Sequence, residues 1–206
     1  MSARAIKLTT YFGERERSGD QFLADALLEL YGRHRLSTSV LLRGAEGFGR
    51  RHRLHTDRLL TLSESLPAVA IAVDSPAKIE RLAGDVLELA GHGLTTLERA
   101  LLLPSDGAGL STAVGAAVKL TVYGGRSVRA DGQAGYVAAV ERLRAAGAAG
   151  ASVLLGVDGT LHGHRRRARF FSRNAGVPLV LQAIGERRKL EGALASVAQL
   201  LDDAIL

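Results

Sequence analysis

Two stretches of this chain, 112 residues apart, carry nearly the same strand. Ala5-Ile-Lys-Leu-Thr-Thr-Tyr-Phe-Gly13 and Ala117-Val-Lys-Leu-Thr-Val-Tyr-Gly-Gly125 agree at six of nine positions. The same offset pairs Gln21 with Gln133, Glu29 with Glu141 and Gly47 with Gly159, while Pro67 meets Pro178 at an offset of 111. A period of this length is one small domain, not a solenoid repeat. The 206 residues therefore hold one fold written twice. Pro104 to Thr112 is a linker by composition, rich in Gly and Ser. The expected division is a first domain at 1–104, a linker at 105–116 and a second, divergent domain at 117–206.

Within the first copy the apolar pattern changes period in a fixed order. Ala5 to Gly13 alternates as a strand does. Ser18 or Asp20 is placed to cap a helix whose inner face carries Phe22, Leu23, Ala26, Leu27 and Leu30, with Gly32 ending it. A strand from about Thr38 to Arg43 follows, then a Gly/Arg loop, with Arg58 to Ser63 as a short strand on its returning arm. Ala68 to Val73 is continuously apolar, as in a strand buried on both sides. Ser75 caps the next helix with Pro76 at its first position; Ile79, Leu82, Val86 and Leu89 form its inner stripe, and Gly91 stops it. Leu94 to Leu103 completes the unit. The second copy repeats this with strands near 117–123, 151–156 and 177–184 and helices near 131–147 and 186–201. Its last strand is absent or reduced to residues 203–206. This order predicts an α+β, ferredoxin-like (βαβ-βαβ) fold in two tandem units.

The loop after the second strand holds the residues most suited to a ligand. Gly44-Ala-Glu-Gly-Phe-Gly49 runs into Arg50, Arg51, His52, Arg53 and His55. Three glycines in six residues allow close backbone approach, and exposed N–H groups with guanidinium forks match phosphate oxygens. In the second copy the corresponding loop, Gly156 to Arg169, keeps Gly159, His162, Gly163, His164, Arg165 and Arg166 but lacks the Gly-Phe-Gly-Arg stretch. It is expected to be degenerate or to recognise something else.

These residues carry a resemblance. Gly47-Phe-Gly-Arg50, His55-Thr56 and Leu66-Pro-Ala-Val-Ala-Ile-Ala-Val73 are similar in order and spacing to PII nitrogen-regulatory proteins. The pattern from Arg43 to Gly49, Leu54-His-Thr56 and Lys7 to Glu14 is closer still to an uncharacterised PII-like family, domain of unknown function 190. The resemblance implies a signalling protein rather than an enzyme, forming a homo-oligomer, with a trimer favoured. It implies an adenine nucleotide or other small anion bound at the base of a flexible T-loop, here by Gly47, Phe48, Gly49, Arg50, Arg51, His55 and Thr56. Genes of that family often stand beside fluoride-export channels, which implies a membrane transporter or channel as partner. The chain departs from PII before the last strand, where Ala90-Gly-His-Gly-Leu94 has no lysine, and on that strand, where the basic residues reduce to Arg99.

Other chemistries leave weaker marks. With no Cys, no nucleophile elbow and no paired carboxylates in a Gly-rich frame, no catalytic residue is singled out, and no cofactor is implied. His52 and His55, and His162 and His164, are pairs where structural zinc needs four ligands, so no metal is expected. His34 and His92 stand at helix ends. The net charge of +6 lies wholly in residues 113–206, which hold 13 Lys+Arg against 7 Asp+Glu, whereas residues 1–112 hold 14 of each. A nucleic-acid-binding protein using that basic half is the alternative reading. The 4% aromatic content and the neutral first half weigh against it, because RNA-binding sheets stack bases on aromatics. No signal peptide or membrane-spanning stretch is expected, and a cytoplasmic protein is.

Overall fold

The computed structural model describes residues 2–48, 54–56, 66–91, 93–104, 115–130, 132–167, 176–201 and 204–206. The first half runs β1 (Ala3–Gly13), β2 (Arg17–Ser18), β3 (Gln21–Phe22), α1 (Leu23–Arg33), β4 (Thr38–Arg43), β5 (Glu46–Phe48), β6 (Leu54–Thr56), β7 (Pro67–Asp74), α2 (Pro76–Ala90) and β8 (Leu94–Leu102). The second runs β9 (Ala117–Gly125), β10 (Arg129–Ala130), β11 (Gln133–Ala134), α3 (Gly135–Ala145), β12 (Gly150–Leu155), β13 (Asp158–Leu161), β14 (His164–Arg167), β15 (Pro178–Glu186) and α4 (Arg187–Leu200).

The strand order β4-β7-β1-β8 places the second, third, first and fourth main strands side by side, as a ferredoxin-like sheet does. The second half gives β12-β15-β9, the same order without its fourth member. That place is taken by Ile205, which exchanges two backbone hydrogen bonds of 2.8 Å with Tyr123. The expected remnant of a last strand is thus a single bridge. Pairing registers coincide across the repeat. Thr38 faces Val73 and Val40 faces Ile71; Gly150 faces Ile184 and Ser152 faces Gln182. Leu8 faces Ala72 as Leu120 faces Ala183. A one-residue slip would turn each strand inside out, so matching registers mean matching buried faces.

Each half buries its own core. In the first, Leu8 from β1, Leu27 and Tyr31 from α1, and Ile79, Leu82 and Val86 from α2 are almost fully enclosed. In the second, Leu120, Val122, Leu143, Leu179, Leu181 and Leu194 do the same. The compact units do not follow the halves of the sequence. One comprises residues 5–100 together with 156–165; the other comprises residues 1–4, 101–155 and 166–206. The reason is β13, which pairs antiparallel with β4 and extends its sheet to the order β14-β13-β4-β7-β1-β8.

Several local expectations need correction. Ser18 and Asp20 do not cap α1, whose first residue is preceded by Phe22 with no side-chain cap. Arg17-Ser18 instead pairs with Gln21-Phe22, turning at Gly19, whose φ of +59° suits a residue without a side chain. The amide of Leu23 donates to the Glu16 carbonyl at 2.8 Å, doing by backbone what a cap would do. Phe22 is 46% exposed under the Arg17 guanidinium, 5.0 Å from its ring centre, and is no part of the inner face. Gly32 lies inside α1, which ends at His34, with Arg35 taking the left-handed turn at φ +46°. Leu89 only flanks the core, and Ala90 takes its place on the inner stripe of α2. In the second half the β10–β11 hairpin delays α3 to Gly135. Pro76 does open α2, and Gly91 ends it at φ +46°. Ser75 gives no side-chain cap; the Asp74 carboxylate accepts its N–H at 2.7 Å. The proposed strand from Arg58 to Ser63 and the helix-end His92 lie outside the described residues.

Candidate functional site

The two loops that follow β4 and β12 are both hairpins. In the first, β5 pairs with β6 in the register Glu46–Thr56, Gly47–His55 and Phe48–Leu54. This brings four of the sequence-derived candidates together on two strands: Gly47 opposite His55, with Phe48 and Thr56 beside them. Gly49, Arg50 and Arg51 lie outside the described residues. The base of this hairpin presses on Pro67, the first residue of β7. The amide of Gly44 donates to the Pro67 carbonyl at 2.7 Å, and a Cβ at Gly44 would stand 2.7 Å from the proline ring. One at Gly47 would meet the same ring at 3.2 Å, a contact that a small shift relieves. Arg43 and Glu14 form a 3.0 Å ion pair within the same unit.

The second hairpin, β13 and β14, turns at His162 and Gly163, whose φ values of +49° and +77° fit a tight primed turn. It is fastened to β4. Val157 donates to the Leu41 carbonyl at 2.8 Å and His162 to that of Ser37 at 2.8 Å. Thr38 donates its hydroxyl to the Thr160 carbonyl at 3.1 Å, while the Thr160 amide donates to Ser39 Oγ at 3.0 Å. Gly159 sits against β4 so closely that a Cβ there would lie 2.2 Å from the Ser39 carbonyl oxygen and 2.9 Å from Val40 Cα. No side chain fits.

Arg165 closes the hairpin on itself. Its guanidinium donates to both carboxylate oxygens of Asp158, at 2.8 and 3.3 Å, and reaches Asp25 on α1 at 3.5 Å. The Asp158 side chain is only 5% exposed, so this pair is charge-assisted and largely out of water. Hydrogen bonding to Asp158 holds the guanidinium above the ordinary arginine value; burial opposes it, and attraction to Asp25 and Glu29 adds to it. Sequence reasoning took Arg165 for a ligand group and did not single out Asp158 or Asp25. The available signal was a lone carboxylate, Asp158, set between Val157 and Gly159 at the start of a strand with no other charge. Arg166 projects outward from β14, its side chain along Gly176.

His162 and His164 line an open cleft of about 580 Å³ with Arg35, Ser37 and Gly163. Beside Ser37 lies a buried carboxylate, Asp74. Its oxygens accept the Ser37 amide at 2.8 Å, the Ser37 hydroxyl at 3.1 Å and Lys78 Nζ at 3.0 Å; Lys78 also donates to the Arg35 carbonyl at 3.1 Å. Burial alone would push the Asp74 carboxyl up. The Ser75 and Ser37 amides and the Lys78 ammonium outweigh it and hold the group below the ordinary carboxylate value. Among the described residues no three His, Asp or Glu side chains gather as metal ligands, and no helix is long and apolar enough to cross a membrane.

Comparison with known proteins places the repeat in a family. The family described as DUF190, an uncharacterized ACR, matches residues 5–102 and again residues 117–206. Among solved structures, the chain is similar to CPII, a nitrogen regulatory PII-like protein from Thiomonas intermedia K12 whose structure is bound to ADP, AMP and bicarbonate. The identity is 16% over 49% of this chain and 90% of that one, with a TM-score of 0.37. It is also similar to the regulatory subunit of aspartate kinase from Thermus thermophilus, at 11% identity over 98% of both chains and a TM-score of 0.38. These likenesses are faint, and the fold is read from strand order and register instead.

Proposed function

The chain belongs to the DUF190 family, with two copies of its domain in tandem, and from that premise we propose that it is a PII-like regulatory protein with one sensing hairpin and one structural hairpin. The sensing element is the segment from Gly44 to Thr56. It takes an adenine nucleotide or another small anion. Arg50 and Arg51 pair with the charge, Gly47, Phe48 and Gly49 bring backbone close to it, and His55 and Thr56 supply the facing arm. Ordering of this T-loop around the ligand changes its fit to a partner, such as a membrane transporter or channel. The protein works in the cytoplasm, uses no resident cofactor and catalyses no reaction. The sequence boundaries 1–104, 105–116 and 117–206 are the functional divisions: a sensing domain, a linker and a supporting domain.

The observation that supports this is the contrast between the hairpins. Of the second-loop candidates, Gly159 is committed to β4 and Arg165 to Asp158 and Asp25. We assign Gly159, His162 and Arg165 to holding that hairpin in place, while His164 faces the open cleft and Arg166 projects outward. With the Arg165 charge spent internally, the basic half offers less to a phosphate track, which favours the regulator over the nucleic-acid-binding alternative. A thermal-shift screen of nucleotides and small inorganic anions finds the ligand, since whatever binds only the native state raises the melting temperature. Calorimetry then tests the site. Each charge-assisted contact is worth roughly 1.5–3 kcal/mol, so replacing Arg50 and Arg51 together by Ala weakens binding by about a hundredfold or more without unfolding the chain. Absence of any nucleotide or anion binding, or unchanged affinity in the double variant, sinks the proposal.

A further inference from the structure

Among the described residues, two that are not glycine hold φ above zero: Arg35 at +46° and His162 at +49°. Both line the open cleft of about 580 Å³, together with Ser37, Gly163 and His164. All five belong to one compact unit. In this region an L residue crowds its own Cβ against the backbone, a cost that glycine escapes. Strained positions of this kind gather at sites where a side chain serves a ligand.

The repeat shows that the turn itself does not ask for arginine. Arg35 follows α1 as Gly147 follows α3, and Gly147 has a φ of +81°. The second copy also has Ala149 in place of Ser37 and Gly185 in place of Asp74. Arginine, hydroxyl and carboxylate thus occur together in the first copy and are all replaced in the second.

The cleft is made for an anion with hydroxyls. The Arg35 guanidinium and the His164 imidazole have no hydrogen bond or ion pair among the described residues. They offer a fork and an N–H donor, both of which phosphate oxygens accept. Asp74, beside Ser37, is matched by Lys78 at 3.0 Å, which offsets its repulsion of an anion. Ser37 gives its hydroxyl proton to Asp74 at 3.1 Å, so its oxygen is left to accept from a ligand. No aliphatic or phenyl side chain is among the lining residues, so a nucleobase finds no apolar wall. The volume is in the range of small-molecule sites, about 300–1,000 Å³, and exceeds what a bare ion fills.

We propose that this cleft binds a phosphorylated sugar or polyol, with Arg35 and His164 on the phosphate and Ser37 accepting from a ligand hydroxyl. It stands at the Thr38 end of β4, whereas the sensing segment begins beyond Arg43, at the other end. It is a second site and does not rest on the sensing role.

Calorimetric titration of the full chain tests it, with Arg50 and Arg51 both replaced by Ala so that anion binding at the sensing segment does not contribute. Glucose 6-phosphate, inorganic phosphate and glucose are the probes. The ester binds, inorganic phosphate binds about tenfold more weakly, and glucose gives no heat. Arg35→Gly removes the guanidinium while giving the turn the residue that the second copy uses. It weakens the ester by about tenfold or more, and without ligand it melts no lower than Arg35→Ala. His164→Gln, on an exposed strand position, weakens the ester by about threefold. Should Arg35→Gly fail to fold, Arg35→Ala and His164→Gln decide. No binding of the ester, or unchanged affinity in a folded variant, overturns the proposal. So does inorganic phosphate bound as tightly as the ester, or a folded Arg35→Gly that melts below Arg35→Ala, since the turn is then not strained.

Discussion

The two hairpins occupy the same place in the repeat and are held by opposite means. The second has β4 along its flank, a glycine with no room for a methyl group, and a buried aspartate paired with arginine. The first has a proline ring under two glycines and an exposed ion pair between Arg43 and Glu14. After duplication, a loop that docks onto its sister domain is no longer available for other partners, and its residues come to serve packing. The first copy keeps the ligand-type residues. The glycine common to both copies therefore has a firm steric reason in one and a much weaker one in the other.

The contrast can be broken at that glycine. Gly159→Ala forces a Cβ into the Ser39 carbonyl and should cost about 3 kcal/mol in urea unfolding. Gly47→Ala, at a concentration where chains are single, should cost under about 1 kcal/mol. Equal losses would mean that the first hairpin is as tightly seated as the second.

A smaller effect sharpens the comparison elsewhere. Asp74, at the end of β7, has Gly185 as its counterpart near the end of β15, so only the first domain has this carboxylate hub. Because its folded value is depressed, the stability it contributes is complete above its ordinary value of 3.8 and is lost as pH falls from there through the lower folded value. Asp74→Asn should cost about 1.5 kcal/mol near neutral pH, and the gap to the wild type should close on acidification. A gap that stays constant down to about pH 3 would deny the hub its charge.

The smallest change falls on Ser18. As a helix cap, its replacement by Ala would cost about 1 kcal/mol. As a hairpin residue it should cost less than about 0.5 kcal/mol. Melting curves separate the two.

That misassignment shows where sequence stops being informative. The duplication, the main strands, both long helices of the first half and the shared registers follow from local pattern, since apolar period and repeat offset are properties of neighbours along the chain. Ser18, Asp20 and Phe22 were misplaced because a two-residue hairpin and a helix N-terminus draw on the same small polar residues, and only pairing with Arg17 decides between them. Gly47, Phe48, His55 and Thr56 come together as a hairpin that the Gly-rich pattern had suggested only as a loop. The fate of Gly159 was hidden for a different reason. Its partners, Ser39 and Val40, lie in the other copy of the repeat, and no local pattern points there. Arg165 has its main partner, Asp158, in its own hairpin, and only its second, Asp25, in the other copy.

That distance has a consequence during synthesis. Thr38 and Thr160, joined by a hydrogen bond, are 122 residues apart. At roughly 5–20 residues per second, a ribosome needs on the order of 6–24 seconds to deliver the second after the first. For that interval β4 is an open edge on a nascent chain, able to pair with whatever strand it meets. The first repeat is thus complete as a gene segment long before it is complete as a fold, and its last structural part is encoded in its sibling.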